Sequence, residues 1–459
     1  MAAKNRHSRQ SRPLTVVIKL GTSSIVDERT HEPLLSILTL IVETAVQLRK
    51  EGHRVVIVSS GAIGVGLRRM DIGKRPKGLS KLQVALAAIG QCRLMSLWDD
   101  LFGHLRQPIA QILLTRNDIQ DRTRYINAQN TFNELMDMGV IPIVNENDTL
   151  AVAEIKFGDN DTLSAITAAM LHADYLFLMT DVDCLYDKNP RSNPDAKPIE
   201  VVEDISALQA DVSTAGSALG TGGMATKIVA AKIATASGVT TVITRSSVPG
   251  HIADVVRYCQ SLKAPSAPAS VAGSDDGESP TPSTADSSMN DSAYFEKAPL
   301  HTRFLPAARP IRDRHFWLLH GLAPHGTIYI DQGAYKALVD KAGLLPVGVV
   351  DVEGSFQNCE SVRLAVVERS ESPGPDGKKW TGDPVEVGRC LVNYAATEVA
   401  RIKGHQSADI KDLLGYADSE HVAHRNHVCF TQGNFSSVPT TPTASRPPSP
   451  TRQSSSIAV

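Results

Sequence analysis

A chain of 459 residues, 42% of them hydrophobic, is long enough for two or three domains, because single cores rarely grow past ~250–300 residues. Lys+Arg 47 against Asp+Glu 49 leaves a net charge of −2, which excludes a surface coated for polyanion binding, so any nucleic-acid role must be local. The 6 cysteines are scattered without a C-x-x-C pair, which excludes a disulfide-stapled scaffold and points to a reducing compartment, and no apolar run approaches the ~20 residues of a membrane span.

Residues 1–13 carry Lys4, Arg6, Arg9 and Arg12 with no acid and almost no apolar face, and read as a disordered leader of a cytosolic protein. From Leu14 to Lys263 the pattern alternates. Strands are predicted at Thr15–Leu20, Arg54–Ser59, Ile109–Leu113, Val140–Val144, Tyr175–Thr180 and Thr240–Thr244, with helical stretches at Pro33–Lys50, Gln83–Gly103, Arg124–Met138, Thr162–Leu171 and Ala225–Ser237. Such alternation predicts an α/β sandwich with a mainly parallel open sheet over 14–263. Residues 264–304 are Ala, Pro, Ser, Thr, Gly and acids for most of their length, and read as a disordered linker. Order is expected again over 305–430, where GTIYIDQGAYKALVDKAGLLPVGVVDVEGSF suggests a small β-rich barrel with a brief helix, Gln332–Ala342, and a loop insertion at 370–383. Residues 431–459 form a Ser/Thr/Pro-rich tail predicted to be disordered.

In open α/β sheets ligands sit at the carboxyl ends of the strands, so chemistry is sought there. VVIKLGTSS places Lys19 at a strand end beside a glycine turn, a phosphate environment. VVIVSSGAIGVG follows another strand with Ser59, Ser60 and glycines that allow close approach of backbone to a ligand. Neither G-x-G-x-x-G nor a Walker loop is present, which weakens a dinucleotide-binding dehydrogenase and a P-loop NTPase. A third strand leads into Asn145, Glu146, Asn147 and Asp148, and a second polar cluster, Lys156, Asp159, Asn160 and Asp161, precedes a helix; together they can grip the ammonium and carboxylates of an amino acid. Taken singly, such a cluster is more commonly a solvated turn with an N-cap. Thr180-Asp181 ends a buried strand, and GTGGMATK opens a helix whose first turn holds Lys227. Two lysines, glycine loops and one organising acid describe phosphoryl transfer, which depends on positioning and charge neutralisation.

The stretches VIKLGTSS, VIVSSGAIGVG, AAIGQCRLM, LLTRND, RYINAQNT, IPIVNENDTLAVAEIKFGDNDTLSA, TDVDCLYDKNPRSNP and LGTGGMATK span about 14–250. In that order they resemble the amino acid kinase family, and within it the branch that acts on glutamate. The resemblance implies ATP-dependent phosphorylation of the side-chain carboxylate of L-glutamate, the first step toward proline, with proline as inhibitor and a homo-oligomeric assembly. It assigns Lys19 and Lys227 to the transferred phosphoryl group and Asp161 to orienting both ammonium groups. It further assigns Ser60, Asp148 and Asn160 to glutamate, and Lys19, Thr180, Asp181, Thr221, Gly222, Gly223, Met224, Ala225, Thr226 and Lys227 to ATP. Mg²⁺ is expected to arrive with ATP rather than on a protein site.

Residues 305–430 resemble a PUA domain, which implies a possible RNA partner, with Arg303, Arg309, Arg312 and Arg314 as a modest basic patch. This chain departs from that pattern at Asn358-Cys359-Glu360-Ser361, where a Gly-Asp turn is expected. Two alternatives stay open at this point: a catalytically retired kinase fold presenting the PUA domain to RNA, and a kinase for another small acid.

Overall fold

A computed structural model describes residues 12–73, 81–150, 159–208, 223–263, 298–308, 310–311, 313–370 and 378–431. Most of the expected leader, linker and tail lie outside these residues, as do 371–377 of the expected loop insertion and Thr221, Gly222 and Lys156. The chain divides into two compact units, residues 1–325 and 326–459.

The first unit opens with β1 (Thr15–Leu20), α1 (Leu35–Lys50), β2 (Arg54–Ser59), α2 (Ala62–Arg69), α3 (Lys81–His104) and β3 (Ile109–Leu114). Next come α4 (Arg116–Gln120), α5 (Arg122–Asp137), β4 (Ile141–Glu146), α6 (Asn160–Met170), β5 (Tyr175–Thr180), β6 (Leu185–Tyr186), β7 (Pro198–Ile199) and β8 (Val201–Val202). It ends with α7 (Met224–Ala236), β9 (Thr240–Arg245), α8 (His251–Lys263), β10 (Thr302–Phe304) and α9 (Asp313–Phe316). Among the described residues the main sheet runs β3-β4-β2-β1-β5-β9-β10-β8. From β3 to β9 every pairing is parallel, so the predicted parallel sheet forms, with strand ends shifted slightly. β1 sits between β2 and β5 and is buried along its whole length, which is why Val16, Val17 and Ile18 run on as apolar residues rather than alternating with polar ones. Ile18, Ile57, Phe177, Trp98 and Phe102 pack in the core on one side of this sheet.

The structure differs from the sequence expectation at two places. Gly64 and Gly66, expected to let the backbone approach a ligand closely, lie inside α2. A Cβ on Gly66 would stand 2.1 Å from the Leu86 carbonyl oxygen, and one on Gly90 would stand 1.7 Å from that of Ala62. These glycines let α2 and α3 cross at backbone contact. Only Gly61, at φ +97°, makes the left-handed turn out of β2.

The second correction concerns the domain boundary. β10 falls in the expected linker yet pairs antiparallel with β9, and the Thr302 hydroxyl accepts from Leu185 N–H at 2.7 Å. Residues 305–325, expected in the barrel, also belong to the first unit: Trp317 is buried and its indole N–H donates to the Ile119 carbonyl at 2.8 Å. Burial of this aromatic anchor against α4 outweighs the linker-like composition before it. Arg303 and Arg314 are therefore in the first unit, and Arg309 and Arg312 lie outside the described residues, so the expected basic patch is not a feature of the barrel.

The second unit contains β11 (Gly326–Ile330), α10 (Gln332–Val339), β12 (Val349–Gly354), β13 (Ser361–Arg369), β14 (Trp380–Leu391), α11 (Ala396–Ile402), α12 (Ile410–Leu414) and β15 (Val428–Phe430). Its sheet runs β12-β11-β13-β14-β15 around a core including Ile328, Leu364, Val387 and Tyr394. Asp331 caps α10 by accepting from Ala334 N–H at 2.8 Å, which fixes where the predicted brief helix begins. At the atypical turn Cys359 is exposed at φ +65°, a conformation that costs a non-glycine residue about 1–2 kcal/mol. Cys359→Gly is expected to raise the unfolding free energy of this unit by roughly 0.5–1 kcal/mol after the added chain entropy of glycine is subtracted, and with it the unfolding midpoint. Denaturant unfolding checks this, and a lowered midpoint would show that the thiol makes an offsetting contact.

Candidate active site

The carboxyl ends of β1, β2, β4 and β5, with the first turns of α6 and α7, bring distant residues together. Asp161, in the first turn of α6, is fully buried. Its Oδ1 meets Lys19 Nζ from the end of β1 at 2.5 Å, and its Oδ2 meets Lys227 Nζ from the first turn of α7 at 3.4 Å. The Thr226 hydroxyl lies 2.7 Å from the same Oδ2 and accepts from Gly223 N–H at 3.0 Å. Lys19 and Lys227 are themselves only 4% and 7% exposed, so both charges are held out of solvent. A lysine in the first turn of a helix opposes the helix dipole, the reverse of what stability favours, whereas an anion arriving there gains from both.

Burial works against ionisation of Asp161, but the Lys19 and Lys227 ammonium groups and the hydrogen bonds from Lys19 and Thr226 outweigh it and hold its pKa at about 2. For Lys227, burial and then the neighbouring Lys19 charge pull the pKa below the ordinary lysine value, and the Asp161 charge only partly restores it. Asp159, which caps α6 by accepting from Thr162 N–H at 2.7 Å, is shifted upward, by burial first and then by the Asp161 charge. The Lys227 ammonium is thus lost at a lower pH than a free lysine's. The alkaline limb of kcat/KM for the protein without bound nucleotide is expected below pH 10.5, and Lys227→Arg is expected to move it upward. A limb that stays in place in Lys227→Arg would assign it to another group.

Beside the charged triad lies an amide cluster. Asn160 Nδ2 donates to Ser60 Oγ and to Asn145 Oδ1, both at 2.9 Å, and Asn145 Nδ2 donates to Gln91 Oε1 at 2.8 Å. Asn160 Oδ1 is buried and has no hydrogen-bond partner among the described residues. The expected substrate residues Ser60 and Asn160 are therefore joined directly; Asp148 follows on the same loop beyond β4, half-buried, with its N–H bonded to the Glu146 carbonyl. Thr180 and Asp181 stand at the end of β5, with Asp181 exposed and ion-paired to Arg191 and its charge still felt at Lys227. Of the expected nucleotide stretch, Gly223, Met224, Ala225, Thr226 and Lys227 are described and form the start of α7. Gln91 was missed: only its place in the quoted stretch AAIGQCRLM, beside a glycine at a helix crossing, could have signalled it.

No group of three or more His, Cys, Asp or Glu side chains among the described residues is placed to hold a metal, and both oxygens of Asp161 face ammonium groups.

A parallel α/β sheet with two buried lysines and an acid at its carboxyl edge defines a phosphotransferase class that works without a P-loop. Residues 14–245 match the amino acid kinase family and residues 326–414 match the PUA domain. A probable glutamate 5-kinase of Schizosaccharomyces pombe is 53% identical over 90% of this chain and 92% of its own length, and glutamate 5-kinase of a Cyanothece species is 44% identical over 91% and 99%. Among solved structures, carbamate kinase from Giardia lamblia bound to AMP-PNP aligns at 18% identity with a TM-score of 0.40, over 54% of this chain and 96% of that one. The chain belongs to the amino acid kinase family, in its glutamate 5-kinase group, and carries a PUA domain after the kinase unit.

Proposed function

We propose that the protein transfers the γ-phosphoryl group of ATP to the side-chain carboxylate of L-glutamate, giving L-glutamyl 5-phosphate and ADP, as the first step toward proline. The observation that carries this reading is the Lys19–Asp161–Lys227 triad beside an amide cluster that offers a buried, unpaired acceptor. The acceptor carboxylate is already ionised, so no general base is required and the barrier is repulsion between anions. Lys19 and Lys227 offset that repulsion, while Asp161 fixes both side chains and the amides at the start of α7 face the transferred phosphate. Mg²⁺, bound to the nucleotide, would supply further charge neutralisation. In this reading Thr180, Asp181 and the residues from Thr221 to Lys227 serve ATP, and Ser60, Asp148 and Asn160 serve glutamate.

An ATP-dependent hydroxamate assay with glutamate, aspartate and N-acetylglutamate, then with added proline, tests the reading. Activity with aspartate and none with glutamate overturns the substrate; insensitivity to proline overturns the inhibitor. The intact triad argues against a retired kinase fold. No helix among the described residues is long and apolar enough to cross a membrane, in keeping with the cytoplasmic location we propose. A homo-oligomer follows from the family resemblance and is checked by light scattering. The PUA unit is proposed to contact RNA, on the support of a cavity of about 470 Å³ lined by Arg369, Lys379, Lys403 and His405 together with Asp351. Steep weakening of RNA binding with salt is the expected signature.

A further inference from the structure

We infer that Gln91 is a positioning residue: from α3 it holds the amide nitrogen of Asn145 and so steadies an amide chain, its direction set by the Glu146 N–H, in which Asn160 presents its carbonyl oxygen to the ammonium group of the substrate. The inference rests on the glutamate reading and deepens it. Asn145 Oδ1 accepts from Glu146 N–H at 2.9 Å as well as from Asn160 Nδ2, so its amide nitrogen must face the other way, where Gln91 Oε1 receives it at 2.8 Å. The hydrogens of Asn160 Nδ2 go to Asn145 Oδ1 and Ser60 Oγ. Turning the Asn145 amide over would set donor against donor at the Glu146 N–H, and turning that of Asn160 would set acceptor against acceptor at Asn145 Oδ1.

The direction of this chain leaves Asn160 Oδ1 buried without a partner among the described residues. A buried acceptor left unpaired is costly, and only a donor can satisfy it. Of the three ionised groups of glutamate, both carboxylates only accept; the α-ammonium only donates. The chain therefore selects for an α-amino acid over the same diacid without its amino group. Gln91 reaches Asn145, 54 residues away in sequence, because its neighbour Gly90 lets α3 lie on the backbone of α2.

The test is kinetic, on the full-length protein. Gln91→Met keeps the bulk and loses the acceptor; it is expected to raise the KM for glutamate about 10-fold, the scale of one hydrogen bond to a charged group. kcat and the KM for ATP should stay within about twofold of wild type, and the Ki of glutarate, the diacid lacking the ammonium, should not move. Gln91→Glu retains the acceptor and is expected to keep a near-normal glutamate KM. Gln91→Ala repeats the loss without steric demand should the methionine variant fold poorly. An unchanged glutamate KM in the acceptor-free variants, or a glutarate Ki that rises in step with it, overturns the inference. Wild-type protein that makes no glutamyl hydroxamate overturns the substrate reading itself, so the two failures are distinct.

Discussion

Lys227→Ala is expected to lower kcat by at least ~10²-fold, the scale of removing one preorganised electrostatic stabiliser, with a much smaller change in the KM for glutamate. The fold should survive, because Lys19 is the nearer partner of Asp161, at 2.5 Å against 3.4 Å, and remains to neutralise it. What is lost is a cation buried in the first turn of α7, where only an arriving anion repays its desolvation. Lys19→Ala should cost at least as much turnover and some stability as well, since it removes the shorter contact to a fully buried carboxylate. Steady-state kinetics with far-UV spectra of each variant check both, and near-normal turnover in either would remove that lysine from the reaction.

Asp161→Asn is the second large effect, and it falls on stability as much as on rate. Breaking a buried ion pair by removing one partner typically costs about 3–5 kcal/mol, because the remaining charge stays buried without compensation. Here two ammonium groups would remain. The acid limb follows from the same group. Its pKa is depressed from 3.8 to about 2, so its contribution is present above pH 3.8 and is lost as pH falls toward about 2. The shift corresponds to roughly 2 kcal/mol, and the variant should lack that part of the acid sensitivity of the wild type. Saturating ATP should protect the variant more than the wild type, since the phosphates supply the missing negative charge. Thermal unfolding with and without ATP decides it: an unaltered midpoint would show that the carboxylate is not what holds the two lysines.

How much of this was legible beforehand differs from residue to residue. Lys19, Asp161 and Lys227 were recognisable because each follows a strand or opens a helix within a motif of characteristic residues. The buried strands declared themselves through short apolar runs such as Val16–Ile18 and Leu176–Met179, whose length and alternation with longer helical patterns fit strands buried on both faces. Other features resisted. Glycines 64 and 66 look the same in sequence whether they cradle a ligand or admit a neighbouring helix; the partner surface, Leu86 and Gly90 on α3, is what distinguishes the two. β10 is short, follows a long low-complexity stretch, and is a strand only because β9 offers it an edge.

Length, composition and charge determined that the chain holds more than one domain, carries no disulfide framework, and cannot owe its activity to a generally basic surface. Local motifs determined the kind of chemistry, because residues that bind phosphate must sit at strand ends and helix starts, and those are written in contiguous stretches. Only the tertiary structure decided that one carboxylate serves both lysines, that the kinase unit extends to residue 325, and that Gln91 meets the amide of Asn145, which in turn meets Asn160. Each of these depends on contacts between residues far apart in the chain, where hydrogen-bond direction and burial are set by packing rather than by sequence neighbours.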